Sequence, residues 1–200
     1  EHRRFALPQI VDRMEEQTRE LIKMASVIGR SFFDRIIRIV AEPIGDLDRR
    51  LTYLKDIQLI RDRVRMHELE YSFKHALAQE AAYDSLLLEQ RKALHLKVGQ
   101  AIEEVFGERL HDFYGMLAYH YGKGEDFEKA EEYMIKAGEE ALRSSASSEA
   151  LNFFQEALNV YLKKCGHAAD PERVALFEKN IALAFFNKGQ YAKAIKYFDS

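Results

Sequence analysis

Seven histidines, one cysteine and three closely spaced arginines are the residues of this chain whose chemistry could carry a function. No two histidines lie at i,i+3 or i,i+4, so no helix can present a paired ligand set, and the lone Cys165 adds no second soft ligand. A metal site is therefore not expected. No Ser/His/Asp set sits in a recognisable nucleophile context. No Gly-x4-Gly-Lys-Ser/Thr loop occurs, so nothing can cradle a triphosphate on backbone N–H groups. The expectation is a chain that is not itself an enzyme and holds no cofactor.

His75 is the sharpest single candidate. It stands where an extended segment hands over to a helix, and its ring N–H could meet an anion near that helix start. The plainer alternative is a histidine that packs against or caps the helix. His95, beside Leu94 and Val98, and His120, inside a helical repeat, are read as structural. Arg61, Arg63 and Arg65 form a local basic cluster diluted by Asp62 and Glu68. Phosphate contacts dominate affinity for DNA, so this cluster and a mixed-charge third helix (Asp46, Asp48, Arg49, Arg50, Lys55, Asp56) argue against a DNA-reading surface.

The elements that would position these residues follow from periodicity and caps. Pro8 opens a helical stretch whose apolar face is Leu21, Ile22, Met24, Ala25 and Ile28, with Gly29 as a left-handed cap. Ser31-Phe32-Phe33-Asp34 reads as a capping-box start for a second helix through about Val40, and Asp46 caps a third carrying Leu47, Leu51 and Leu54. Leu59-Ile60-Arg61, then Leu69, Tyr71 and Phe73 alternating with Glu70, Ser72 and Lys74, predict a two-stranded hairpin with one apolar face. Three helices and a hairpin outline a winged-helix-like domain over residues 1–74.

A helical connector follows over 75–109, with helices at about 75–87 and 89–106 and Gly107 ending the second. From about 110 the chain reads as a divergent tetratricopeptide-like α-solenoid. Ala130, Met134 and Ala137 spell a small-x3-large-x2-small pattern, and Ala150, Phe154 and Ala157 repeat it. Ala194 and Phe198 begin it again. Small residues let helices approach, and the large one fills the hole between them. The first repeat pairs helices at about 111–122 and 127–143, turning at Gly122-Lys123-Gly124. Asp170-Pro171 restarts a helix whose packed face is Phe177, Ile181, Ala184 and Phe185. Projecting the repeat puts Asp112, Tyr119 and Lys123 on the groove side of the first repeat, and Lys179, Leu183, Phe186 and Asn187 on that of the last. The pattern breaks off at Ser200 and the chain opens on Glu1 without a signal peptide, which reads as a segment of a longer protein.

The bulk numbers agree with a globular, mostly α chain: 47% apolar and 32% charged residues, with three prolines. A net charge of −3 supplies no general attraction to nucleic acid or anionic membrane, and no apolar run approaches the ~20 residues of a membrane span. One cysteine fits a reducing compartment, so the expected location is cytoplasmic.

The stretch Tyr71-Ser72-Phe73-Lys74-His75-Ala76-Leu77-Ala78-Gln79-Glu80-Ala81-Ala82-Tyr83 resembles a junction in bacterial signalling ATPases of the STAND class. These include predicted ATPases fused to class III adenylate/guanylate cyclase domains and large LuxR-type regulators. Ala25-Ser26-Val27-Ile28-Gly29-Arg30-Ser31-Phe32 looks like the first-helix segment of the same winged region. Ala118-Tyr119-His120-Tyr121 and Lys136-Ala137-Gly138-Glu139-Glu140-Ala141-Leu142 are similar to that family's first tetratricopeptide repeat. The resemblance implies an ATPase module, and in some members a cyclase, upstream of the winged region, with ATP or ADP bound there. It also implies that His75 senses the nucleotide β-phosphate in the resting state.

The expected function is thus regulatory and scaffolding within a multidomain signalling ATPase of the adenylate/guanylate cyclase-linked kind. Its partners would be the ATPase domain of its own chain and a protein or peptide in the repeat groove. The alternatives are a DNA-binding regulator segment and a free-standing peptide-binding adaptor.

Overall fold

The computed structural model describes residues 14–198, and the helix start read at Pro8 lies outside them. The fold is mostly helical, with one small antiparallel sheet and a run of helical repeats. It forms two compact units divided between Val105 and Phe106, so residues 75–105 group with the first unit.

In the first unit, α1 (Glu16–Ile28) buries Leu21, Ile22, Ala25 and Ile28. Gly29 ends it at φ 141, ψ −170, a positive φ but not the left-handed helical cap expected. The next segment departs further from expectation. Ser31–Phe33 is a strand, β1, and not a capping box; α2 begins only at Asp34 and runs to Val40. The cause is tertiary. β1 pairs antiparallel with β3, Phe32 opposite Tyr71, and its ring lies 5.6 Å from Tyr71 and 5.9 Å from Phe73. Phenylalanines favour a pleated, half-buried surface once a partner strand exists.

After α3 (Leu47–Asp56), β2 (Ile60–Arg65) and β3 (Glu68–Phe73) form the hairpin, giving the sheet order β1-β3-β2. Met66 and His67 at its tip both have positive φ, as the tightest two-residue hairpin loop requires. Expected and observed faces differ at β3: Leu69 is exposed, whereas Glu70 and Ser72 are buried. β3 is the central strand, so its polar face is also covered. Glu70 lies between Phe33 on one neighbour and Arg63 on the other. Then α4 (Ala76–Asp84) ties back to α1, Gln79 Nε2 donating to the Ser26 carbonyl at 2.8 Å, and α5 (Leu88–Phe106) follows.

The second unit opens on a 3-10 segment, Gly107–Phe113, where the sequence suggested an α-helix from 111. Five helices follow: α6 (Tyr114–Lys123), α7 (Phe127–Arg143), α8 (Ser147–Cys165), α9 (Pro171–Asn187) and α10 (Tyr191–Phe198). Each packs on the next. Three of the turns share one device. Glu125, Ser145 and Gly189 have positive φ, and the following N–H (Asp126, Ala146, Gln190) donates to a carbonyl five residues back (Tyr121, Ala141, Phe185). This is the Schellman closure, which satisfies a helix's last carbonyls while reversing the chain. The first reversal thus turns on Glu125 and not on the Gly122-Lys123-Gly124 run. The α9 start is as read: Asp170 accepts from the Glu172 N–H, with Pro171 in the first turn.

Close approach sets the helix spacing. Ala130, Ala137, Ala150 and Ala157 are buried, and the Phe154 ring fills the space over Gly138. Ala194 is buried, but Phe198, the large residue of the third copy of the pattern, is exposed.

Candidate functional site

His75 occupies the N-cap of α4 with an extended backbone (φ −126, ψ 123), and its carbonyl accepts from the Ala78 N–H at 3.1 Å. Its side chain is exposed and makes no capping hydrogen bond. The imidazole therefore stands at the positive end of a nine-residue helix without closing that end itself. Chemically, it can present an N–H to an anion arriving from solvent.

The basic cluster on the hairpin is exposed but engaged in pairs along one side of the strand. Arg63 and Arg65 both bind the Glu70 carboxylate, Arg65 at 3.0 Å, and Arg61 Nε donates to Ser72 Oγ at 3.1 Å. Burial pushes the Glu70 carboxyl up, but the two guanidinium groups outweigh burial and hold it below the usual carboxylate range. On the opposite face, Tyr71 donates to Asp34 at 3.2 Å; burial, then the Asp34 carboxylate, pushes its phenol up. In the third helix, Arg50 is buried and donates to Glu15, Thr18, Gln17 and the Gly45 carbonyl. Arg50 thus ties the first helix to the third from within, whereas Arg63 and Arg65 are exposed and share one carboxylate.

His95 and His120 are fully buried, and His95 Nε2 lies 3.0 Å from the Tyr83 hydroxyl. Among the described residues there is no group of three or more potential metal ligands. Nor, among them, is any helix long and apolar enough to cross a membrane.

The groove candidates fall into two sets, one on each of two parts of the second unit. Tyr119 and Lys123 are exposed one turn apart on α6, with the Lys123 ammonium 5.8 Å from the Tyr119 ring. Asp112 lies before that helix in the 3-10 segment, beside His111 at 3.5 Å, so it does not extend their stripe. Lys179, Leu183, Phe186 and Asn187 share the exposed side of α9, opposite buried Phe177, Ile181, Ala184 and Phe185. Four exposed residues missed by the sequence reading belong with them. Leu176 extends the α9 stripe, and Tyr191, Ile195 and Phe198 form a second stripe on α10. The spacing of all four, read at helical period, was the available signal.

No family model matches the chain. A stretch of 102 residues is 32% identical to an uncharacterized protein of Rhizobium meliloti (strain 1021), covering 51% of this chain and 10% of that protein. The match thus spans about a tenth of the relative's length, and what the whole protein does is a matter for proposal.

Proposed function

We propose that this chain is a non-catalytic regulatory and scaffolding segment of a multidomain signalling ATPase of the STAND class, of the kind linked to adenylate/guanylate cyclases. In this reading the first unit contains a winged-helix-like domain and the second is a tetratricopeptide-like array. A short strand between the first two helices that completes a hairpin sheet supports the former. Antiparallel helices closed by one recurring turn and packed through small residues support the latter. ATP or ADP would be bound by another domain of the same cytoplasmic protein, to which the winged region docks.

The observation that carries the proposal is the exposed apolar side of α9, where Leu183 and Phe186 face solvent on a helical stack. Large apolar side chains displayed together mark an interaction surface more readily than a chemical one. A partner there shifts a docking equilibrium only if it binds the two states unequally. The pairing of Arg63 and Arg65 with the shared Glu70 carboxylate weighs against the DNA-binding alternative. The experiment is ATP hydrolysis by the full-length protein carrying His75→Ala. Basal turnover rises if His75 restrains the resting state, and an unchanged basal rate contradicts that role.

A further inference from the structure

The hairpin leaves one edge of the sheet open. In the order β1-β3-β2, β2 has β3 on one side and, among the described residues, no strand on the other. It runs in unbroken register with β3 from Ile60 to Arg65, with no bulge or proline to blunt the edge. The register fixes which backbone groups are spare. The pair that closes a two-residue loop, here Arg65 and Glu68, is hydrogen-bonded, and bonded pairs then alternate along the ladder. Arg61, Arg63 and Arg65 thus direct their N–H and C=O groups to β3, whereas those of Asp62 and Val64 point to the open side. Among the described residues no other backbone group bonds to either.

Charged side chains ordinarily guard such an edge. Here they lean the other way. Arg63 and Arg65 reach the Glu70 carboxylate, and Arg61 reaches Ser72 Oγ, all on β3 and away from the open side. On the opposite face the hairpin is apolar toward its tip: Val64 is 76% exposed and its cross-strand partner Leu69 39%.

Charge narrows the occupant. Three arginines share a row with one available carboxylate, Glu70, because Glu68 is held by Arg35 at 3.1 Å. Asp62, on the Val64 face, is likewise held by Lys55 at 3.0 Å. Arg63 and Arg65 remain 54% exposed while bound, so the row still attracts anions. A nucleic acid would match the arginines but leave the peptide groups of Asp62 and Val64 and the Val64 side chain unmatched. An extended segment with Asp or Glu at alternate positions and apolar residues between them matches all three at the two-residue period of a strand.

We infer that the open edge of β2 takes up an acidic extended segment of a protein partner as a fourth strand. The inference goes beyond the proposed regulatory role and needs neither the repeats nor His75.

The test uses the isotope-labelled 200-residue chain and two peptides of about seven residues. One alternates Glu with Val and Thr; the other has Lys in place of Glu. In NMR titrations the Glu peptide binds at least about tenfold tighter than the Lys peptide. Its binding slows amide exchange at Asp62 and Val64 and leaves Arg63, already bonded in the ladder, unchanged. Val64→Pro removes an outward N–H and no ladder bond; with its melting temperature unchanged, it weakens the Glu peptide about tenfold or more. Arg61→Gln with Arg65→Gln, which leaves the backbone edge intact, abolishes the preference for Glu over Lys. Equal binding of the two peptides by the unaltered chain, binding of neither, or binding that leaves exchange at Asp62 and Val64 unchanged overturns the inference. So does a DNA duplex that displaces the Glu peptide, because the arginines then serve phosphate. Slow exchange at Asp62 and Val64 before peptide is added also overturns it, because the chain or a second copy already covers the edge. Each of these outcomes leaves the His75→Ala hydrolysis test standing, so the two readings fail separately.

Discussion

Gly138 on α7 and Phe154 on α8 are locked face to face: a Cβ added at Gly138 would lie 2.5 Å from Phe154 Cε1 and 2.7 Å from Cζ. The two helices can pack at this distance because one side chain is missing and the other fills the gap. Phe154 is fully buried, so its ring has no solvent to retreat into.

Gly138→Ala therefore destabilises the second unit. Alanine favours a helix interior over glycine by about 1 kcal/mol, but the overpacking cost of about 1–3 kcal/mol is the larger effect here. Phe154→Ala leaves a cavity and costs about 3–5 kcal/mol. Denaturant melts of both variants check the order, and a Gly138→Ala protein more stable than wild type would show that α7 and α8 separate freely.

Glu70 supplies the pH dependence. Its folded pKa is held below the unfolded value, which is about 4.3. Its contribution is thus present above the unfolded value and is lost as pH falls through the lower folded value. Glu70→Gln should lower stability at neutral pH, leaving Arg63 and Arg65 without their shared anion, and flatten the acid limb of the stability curve. Thermal melts from neutral to strongly acidic pH read this out; an unchanged acid limb would remove Glu70 from the account.

Neighbouring positions on α9 separate packing from display. Ile181 is buried, so Ile181→Ala should cost about 2–5 kcal/mol. Leu183 is exposed, so Leu183→Ser should change stability by no more than about 0.5 kcal/mol. Urea denaturation compares them. A large loss at Leu183 would mean that this side chain supports the fold.

What the sequence disclosed was what local chemistry controls. Asp170 and Pro171 begin α9 by capping and a fixed φ, α7 spans the residues expected, and α5 ends at Gly107's doorstep. Ser31–Phe33 resisted because its partner strand lies some forty residues onward, and four residues ending in aspartate imitate a cap. Glu70 was assigned to a solvent face because strict alternation assumes one covered side, whereas a central strand has two neighbours to bury its polar row. The turns at Glu125 and Ser145 use left-handed backbone without glycine, which leaves no compositional mark. On α9, the shared exposed side of Lys179, Leu183, Phe186 and Asn187 was legible from period alone. The α10 stripe was obscured because Phe198 continued a pattern whose earlier large residues are buried.

We propose that the strand-to-helix junction at His75 responds to nucleotide bound by another domain of the same protein. Hydrogen exchange of the full-length protein, bound first to ADP and then to a non-hydrolysable ATP analogue, tests it most directly. Peptides spanning β3 and the start of α4 should be more protected with ADP, and His75→Ala should erase the difference. Identical protection of residues 68–84 in the two nucleotide states would contradict the account.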